Sequence, residues 1–225
     1  MYLFKNLKSI FSNMVHTVSK YFILITFVLS FVFHAEGQIN KETYNLLFIG
    51  NSLTSTNNLP LIIKTKAKYS GYNIETEMIT LPNYAISDHW KKGEVQNLIR
   101  SKKYDVVIIQ QGPSSQSKGR QILIDYGKKY NAICKENKAL LAYFMVWPSL
   151  QNYDTFDDVI KNYEIAAVEN DAILCPVGKH WKHYFESSKK FDYYGVDNFH
   201  PSKKGSEVAA KIILNNVLKH LRQEG

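Results

Sequence analysis

Five short strand-like runs lie at residues 44–49, 74–79, 105–109, 140–146 and 172–177. The first and third contain "LLFI" and "VVII", with no polar alternation, as expected of strands buried on both faces. Between the runs, apolar residues recur at helical spacing. Asn58-Leu59-Pro60 opens one helix, with Asn as cap and Pro in the first turn, and the pattern continues through Ile62, Ile63 and Ala67 to Gly71. Ile122, Tyr126, Tyr130 and Ile133 mark a second. Phe156, Ile160, Tyr163 and Ala167 mark a third behind Asp154-Thr155, and Val208, Ile212, Ile213 and Leu218 a last one after Pro201. Strand–helix alternation of this kind predicts right-handed crossovers, hence one α/β domain: a three-layer sandwich around a five-stranded parallel sheet. In such sheets ligands lie beyond the carboxyl ends of the strands. The loops after Ile49, Ile79, Ile109, Val146 and Val177, and the last long loop, are therefore where chemistry is expected.

The N-terminal segment has a different pattern. Lys5, Lys8 and Lys20 precede the apolar run at residues 21–33, and the small-x-small tripeptide Ala35-Glu36-Gly37 follows. This is the order of a secretory signal, and the run is short for a membrane span. Residues 1–37 are read as a signal peptide, starting at Met1 or Met14, and 38–225 as the folded domain of a secreted or periplasmic protein. No permanent membrane anchor is expected. The whole chain carries a formal charge of +8. Its lysines are spread in pairs such as Lys102-Lys103 and Lys189-Lys190, as on a solvated surface, so nucleic acid is not an expected partner. Cys134 and Cys175 are too few for a disulfide framework and lie in apolar surroundings, which favours buried thiols and leaves a single bridge open.

Two clusters of chemistry-bearing residues stand out. After the first run, Gly50 ends the strand and delivers Asn51-Ser52-Leu53 into a polar loop. A serine hydroxyl is a weak nucleophile unless an imidazole takes its proton, and the imidazole needs a partner to fix its tautomer. "YYGVDNFHPSKKG", residues 193–205, offers both: Asp197 and His200 are three apart in the loop before the last helix. Pro201 biases His200 away from helical geometry.

A Gly-Asn-Ser-Leu block after strand one, with Asp-x-x-His-Pro near the C-terminus, resembles the SGNH, or GDSL, family of serine hydrolases in its Asn-variant form. The resemblance implies a flavodoxin-like SGNH hydrolase fold, with Ser52 as nucleophile, His200 as general base and Asp197 as its orienting partner. It implies no metal or organic cofactor.

The middle blocks depart from the family pattern. Family members complete an oxyanion hole with the nucleophile's own N–H, a glycine after strand two and an asparagine after strand three. Here Asn83 stands where the glycine is expected, and asparagine tolerates the left-handed backbone. "IIQQGPSS" replaces the asparagine block, so Gln110, Gln111 or Ser114 is expected to supply the third donor; strand alternation puts only one of the two glutamines on the active edge, and Gln110 is preferred. Ser52, Asn83 and Gln110 make up the expected hole. Gln111, Ser114, Trp147 and Phe199 are expected to line the substrate site. His180 and His183 lack further ligands for a metal. The function expected is a secreted serine esterase acting on small acyl groups carried by a glycan or other polar molecule. A catalytically impaired carbohydrate-binding protein and an acyltransferase are the alternatives.

Overall fold

The structure is a computed structural model that describes residues 43–224. The expected signal segment lies outside the described residues.

Five strands form one parallel sheet: β1 (Thr43–Gly50), β2 (Asn73–Thr80), β3 (Val106–Ile109), β4 (Leu140–Phe144) and β5 (Ile173–Cys175). Their order is β2-β1-β3-β4-β5. The unbroken apolar runs go to the middle, where Leu46 to Ile49 and all of β3 are inaccessible to solvent. The sheet grows to one side from β1 to β2, then to the other from β1 to β3. The switch point is the crevice between the carboxyl ends of β1 and β3, where open α/β sheets place their ligands.

The helices are α1 (Ser52–Ser55), α2 (Leu59–Tyr69), α3 (Ile86–Lys92), α4 (Glu94–Ser101), α5 (Ser117–Glu136), α6 (Phe156–Glu169), α7 (Val177–Ser188) and α8 (Lys203–Glu224). The last of these, α8, packs on α2 and β5, while α5 packs on α6, α3 and α4. The α/β three-layer architecture is as the sequence pattern predicts.

Local departures have physical causes. The run 172–177 is strand only to Cys175, because Pro176 has no N–H for the ladder and Val177 already begins α7. Asn58 precedes α2 as expected, yet it is left-handed (φ 52°) and its side chain makes no cap bond. Residues 86–101, between the second and third strands, form α3 and α4. Cys134 and Cys175 are free and buried, and burial pushes both thiols up to about 12.

Candidate active site

Ser52 begins α1 directly beyond β1. Asn51 caps that short helix by accepting from the Leu53 N–H at 3.1 Å. Asn51 also joins three segments. Its N–H donates to Gln110 Oε1 (3.0 Å), its Nδ2 donates to the Tyr84 carbonyl (3.1 Å), and its Oδ1 accepts from Gln110 Nε2 (3.1 Å). The loops after β1, β2 and β3 are thereby tied together beneath the serine.

Asp197 and His200 reach the same edge from the loop before α8. Asp197 Oδ1 accepts from the backbone N–H groups of Phe199 and His200, at 3.0 and 2.9 Å. The turn is closed by the Gly195 N–H donating to the His200 carbonyl at 2.7 Å, and Asn198 takes the left-handed conformation it requires (φ 58°). His200 Nδ1 lies 2.5 Å from Asp197 Oδ2, and His200 Nε2 lies 2.8 Å from Ser52 Oγ. The hydrogen bond from His200 holds the Asp197 carboxyl below the usual carboxylate range, helped by the two backbone donors and opposed by burial. An ionised carboxylate only accepts, so the imidazole proton belongs on Nδ1. The Nε2 lone pair then faces the serine hydroxyl.

Two contacts hold this loop against the nucleophile segment. Asn57, left-handed just after α1, donates to the Pro201 carbonyl and to Ser206 Oγ, both at 3.0 Å. Trp147 Nε1 donates to the Phe199 carbonyl at 2.9 Å.

The remaining expected site residues divide. Asn83 has positive φ (61°), the conformation asparagine tolerates, in the exposed loop after β2. Neither its N–H nor that of Ser52 bonds to a protein group among the described residues. Gln110 departs from its expected role. Its Oε1 accepts from Asn51 N–H and Thr54 Oγ1 (2.8 Å), its Nε2 serves Asn51, and it is buried, so its amide braces the strand ends instead of facing a substrate. Gln111 and Ser114 also depart: Gln111 Nε2 donates to Ser114 Oγ (2.8 Å), Ser114 Oγ donates to the Gly112 carbonyl (3.0 Å), and both are buried inside their own loop. Trp147 is no pocket wall. It is fully buried and stacked on Trp181, with centroids 3.5 Å apart.

Phe199 does face open space. A cavity of about 500 Å³ runs from it past Ser115, Gln116, Ser149, Asn152 and Thr155, between Pro113 and Pro148. Ser115 was missed from the sequence, as were Asn51, Thr54, Asn57 and His89. Of these only Asn51 carried a signal, its place beside the serine. Among the described residues no cluster of three or more His, Cys, Asp or Glu side chains is arranged to hold a metal.

Comparison with solved structures decides the fold. A protein from Slackia heliotrinireducens described as an SGNH hydrolase superposes with a TM-score of 0.65 at 18% identity, covering 78% of this chain and 99% of its own. The chain has the SGNH hydrolase fold. A lipase/acylhydrolase from Enterococcus faecalis gives 0.60 at 15% identity over 79% and 96% of the two chains. A catalytic mutant of an acetylxylan esterase from Geobacillus stearothermophilus gives 0.58 at 14% over 79% and 96%. No protein-family model matches the chain, and no curated protein matches it. At these identities the shared SGNH architecture speaks for the scaffold, and function rests on the site.

Proposed function

We propose that the protein is an exported serine esterase that removes small acyl groups, such as acetyl, from a glycan or other polar carrier. The observation that carries this reading is the continuous Ser52–His200–Asp197 contact, 2.8 and 2.5 Å long, at the switch point of the sheet. Ser52 Oγ attacks the ester carbonyl while His200 Nε2 takes its proton, and the Ser52 and Asn83 N–H groups receive the developing oxyanion. His200 then protonates the departing alkoxide. Water enters, gives its proton to His200, and attacks the acyl-enzyme; Ser52 leaves with that proton and the carboxylic acid is released.

The cavity beside Phe199 supports the substrate class. Five of its eight lining residues carry a hydroxyl or amide side chain, which suits a hydroxyl-rich carrier better than a long acyl chain. The likeness to an acetylxylan esterase is consistent with that choice. Hydrolysis is favoured over acyl transfer because the pair that activates water is open to it: the His200 and Asp197 side chains are 34% and 48% exposed.

The test is turnover of p-nitrophenyl acetate, butyrate and octanoate by the protein lacking residues 1–37, with Ser52→Ala alongside. Acetate is expected to be the best substrate, and Ser52→Ala to abolish turnover. Equal rates with Ser52→Ala would leave a binding protein on the same scaffold. Export is checked separately, by mass spectrometry of secreted material, which should begin at or near Gln38.

A further inference from the structure

Ser52 owes its position to the peptide that precedes it. The Gly50–Asn51 peptide is held at both edges. Its N–H donates to Gln110 Oε1 at 3.0 Å, and its carbonyl accepts both from the Leu81 N–H at 3.2 Å and from His89 Nε2 at 2.8 Å. A carbonyl brings no proton to this contact, so His89 Nε2 must carry one. The Leu81 bond already continues the β1–β2 ladder and satisfies the strand end. The second donor comes from an imidazole that is 1% exposed, brought under the site by α3. Taking an imidazole out of water costs free energy, which the bond to the second lone pair of the Gly50 oxygen and the packing on Tyr84 offset, so the ring is held in one place.

What it fixes is legible in its neighbours. The His89 ring lies edge-on to Tyr84, with centroids 5.1 Å apart, and the Tyr84 carbonyl takes the Asn51 side chain at 3.1 Å. One side chain therefore touches both the peptide leading into Ser52 and the loop carrying Asn83. We propose that His89 is a positioning residue for the hydrolysis: its Nε2–H sets the plane of the Gly50–Asn51 peptide and so aims Ser52 Oγ at His200 and the Ser52 N–H at the oxyanion. This rests on the reading of Ser52 as nucleophile. His89 does not touch the reacting atoms. Its effect falls on how often the serine is aimed correctly, and a displacement of about 1 Å at such a centre costs on the order of 100-fold in rate.

The experiment compares three variants with the wild type. His89→Phe keeps a ring and removes the donor. His89→Asn keeps polarity but is too short to reach Gly50, and His89→Gln restores an N–H donor at longer reach. Two rates are read: kcat and KM for p-nitrophenyl acetate, and the phosphonylation of Ser52 by a fluorophosphonate, followed by intact mass. His89→Phe and His89→Asn are expected to lower kcat and the phosphonylation rate by about 10- to 100-fold, with KM within about twofold. His89→Gln should recover a substantial part of both. A purely structural histidine would change the melting temperature and leave the rates of the folded fraction alone. Wild-type phosphonylation rates in folded His89→Phe or His89→Asn overturn the proposal. If His89→Phe does not fold, His89→Asn against His89→Gln decides by the same criterion. If instead Ser52→Ala leaves both rates unchanged, the esterase reading falls, and this assignment with it.

Discussion

At the scale of single residues, the Asp197–His200 contact decides which imidazole nitrogen carries the proton. The Asp197 carboxyl is held low chiefly by His200, so it stays ionised through the neutral range and keeps the imidazole proton on Nδ1. Its depressed pKa stabilises the fold at pH above the ordinary carboxylate value near 3.9, a contribution lost as pH falls through the lower folded value. Asp197→Asn should lower kcat by roughly 10² to 10⁴, because an amide can donate to Nδ1 and turn the wrong tautomer toward Ser52. Initial rates at saturating p-nitrophenyl acetate check this. Gln110 makes the opposite kind of prediction. Its Oε1 is the acceptor for Asn51 N–H and Thr54 Oγ1, so Gln110→Ala leaves two buried donors unpaired. Stability should drop by about 1–3 kcal/mol in urea titration, together with kcat. A pure oxyanion donor would show a loss of kcat alone.

The same network governs an element, the turn from β1 into α1. Gly50 is in extended strand, but a Cβ there would lie 2.4 Å from Gln110 Oε1 and 2.6 Å from Thr54 Oγ1. Gly50→Ala should push Gln110 out of its bonds and destabilise by roughly 1–3 kcal/mol, measurable as a lowered urea midpoint with unchanged m-value. How legible such elements were depended on burial. The central strands were plain because a run buried on both faces, such as "VVII", is apolar without a break. The convergence of Ser52, Asp197 and His200 was legible too, since Gly-Asn-Ser-Leu and Asp-x-x-His-Pro place these side chains within a few residues of fixed turns. The glutamines escape the alternation rule because Ile109 is the last residue of β3: beyond it Gln110 is fixed by hydrogen bonds to the segment after β1, and Gln111 by a bond within its own loop. Trp147 was misplaced for a related reason. The chain after β4 stays buried to residue 148, so a loop position expected to face the ligand is inside the core. His89 left no readable mark, because its partner Gly50 is thirty-nine residues away in the chain and offers only a backbone oxygen.

For the whole molecule, the interactions that respond to solution conditions differ in kind. Pairs such as Lys64–Glu75, Lys102–Glu77 and Lys179–Glu164 lie at the surface with both side chains substantially exposed, and each contributes little to stability. Moderate salt should therefore leave the melting temperature nearly unchanged. Acid should not. Burial lowers the pKa of His89, the largest influence on it; the Gly50 carbonyl and Asp88 act the other way, Lys92 adds to the lowering, and Glu94 opposes it. Once unfolded, this histidine titrates near 6.5, so below that pH the unfolded chain binds a proton that the native state resists. The stability linked to His89 is thus full above about pH 6.5 and is lost as pH falls from there through the lower folded value. Between pH 7.5 and 5 the wild-type melting temperature should fall, well above the range where Asp197 is protonated. His89→Gln carries no titrating group at that position, so its melting temperature should be lower at pH 7.5 and decline less steeply toward pH 5. Calorimetry of the two proteins over that interval reads the difference directly. Parallel slopes would mean that His89 is as easily protonated in the fold as outside it, and that its burial beneath Ser52 carries no electrostatic cost.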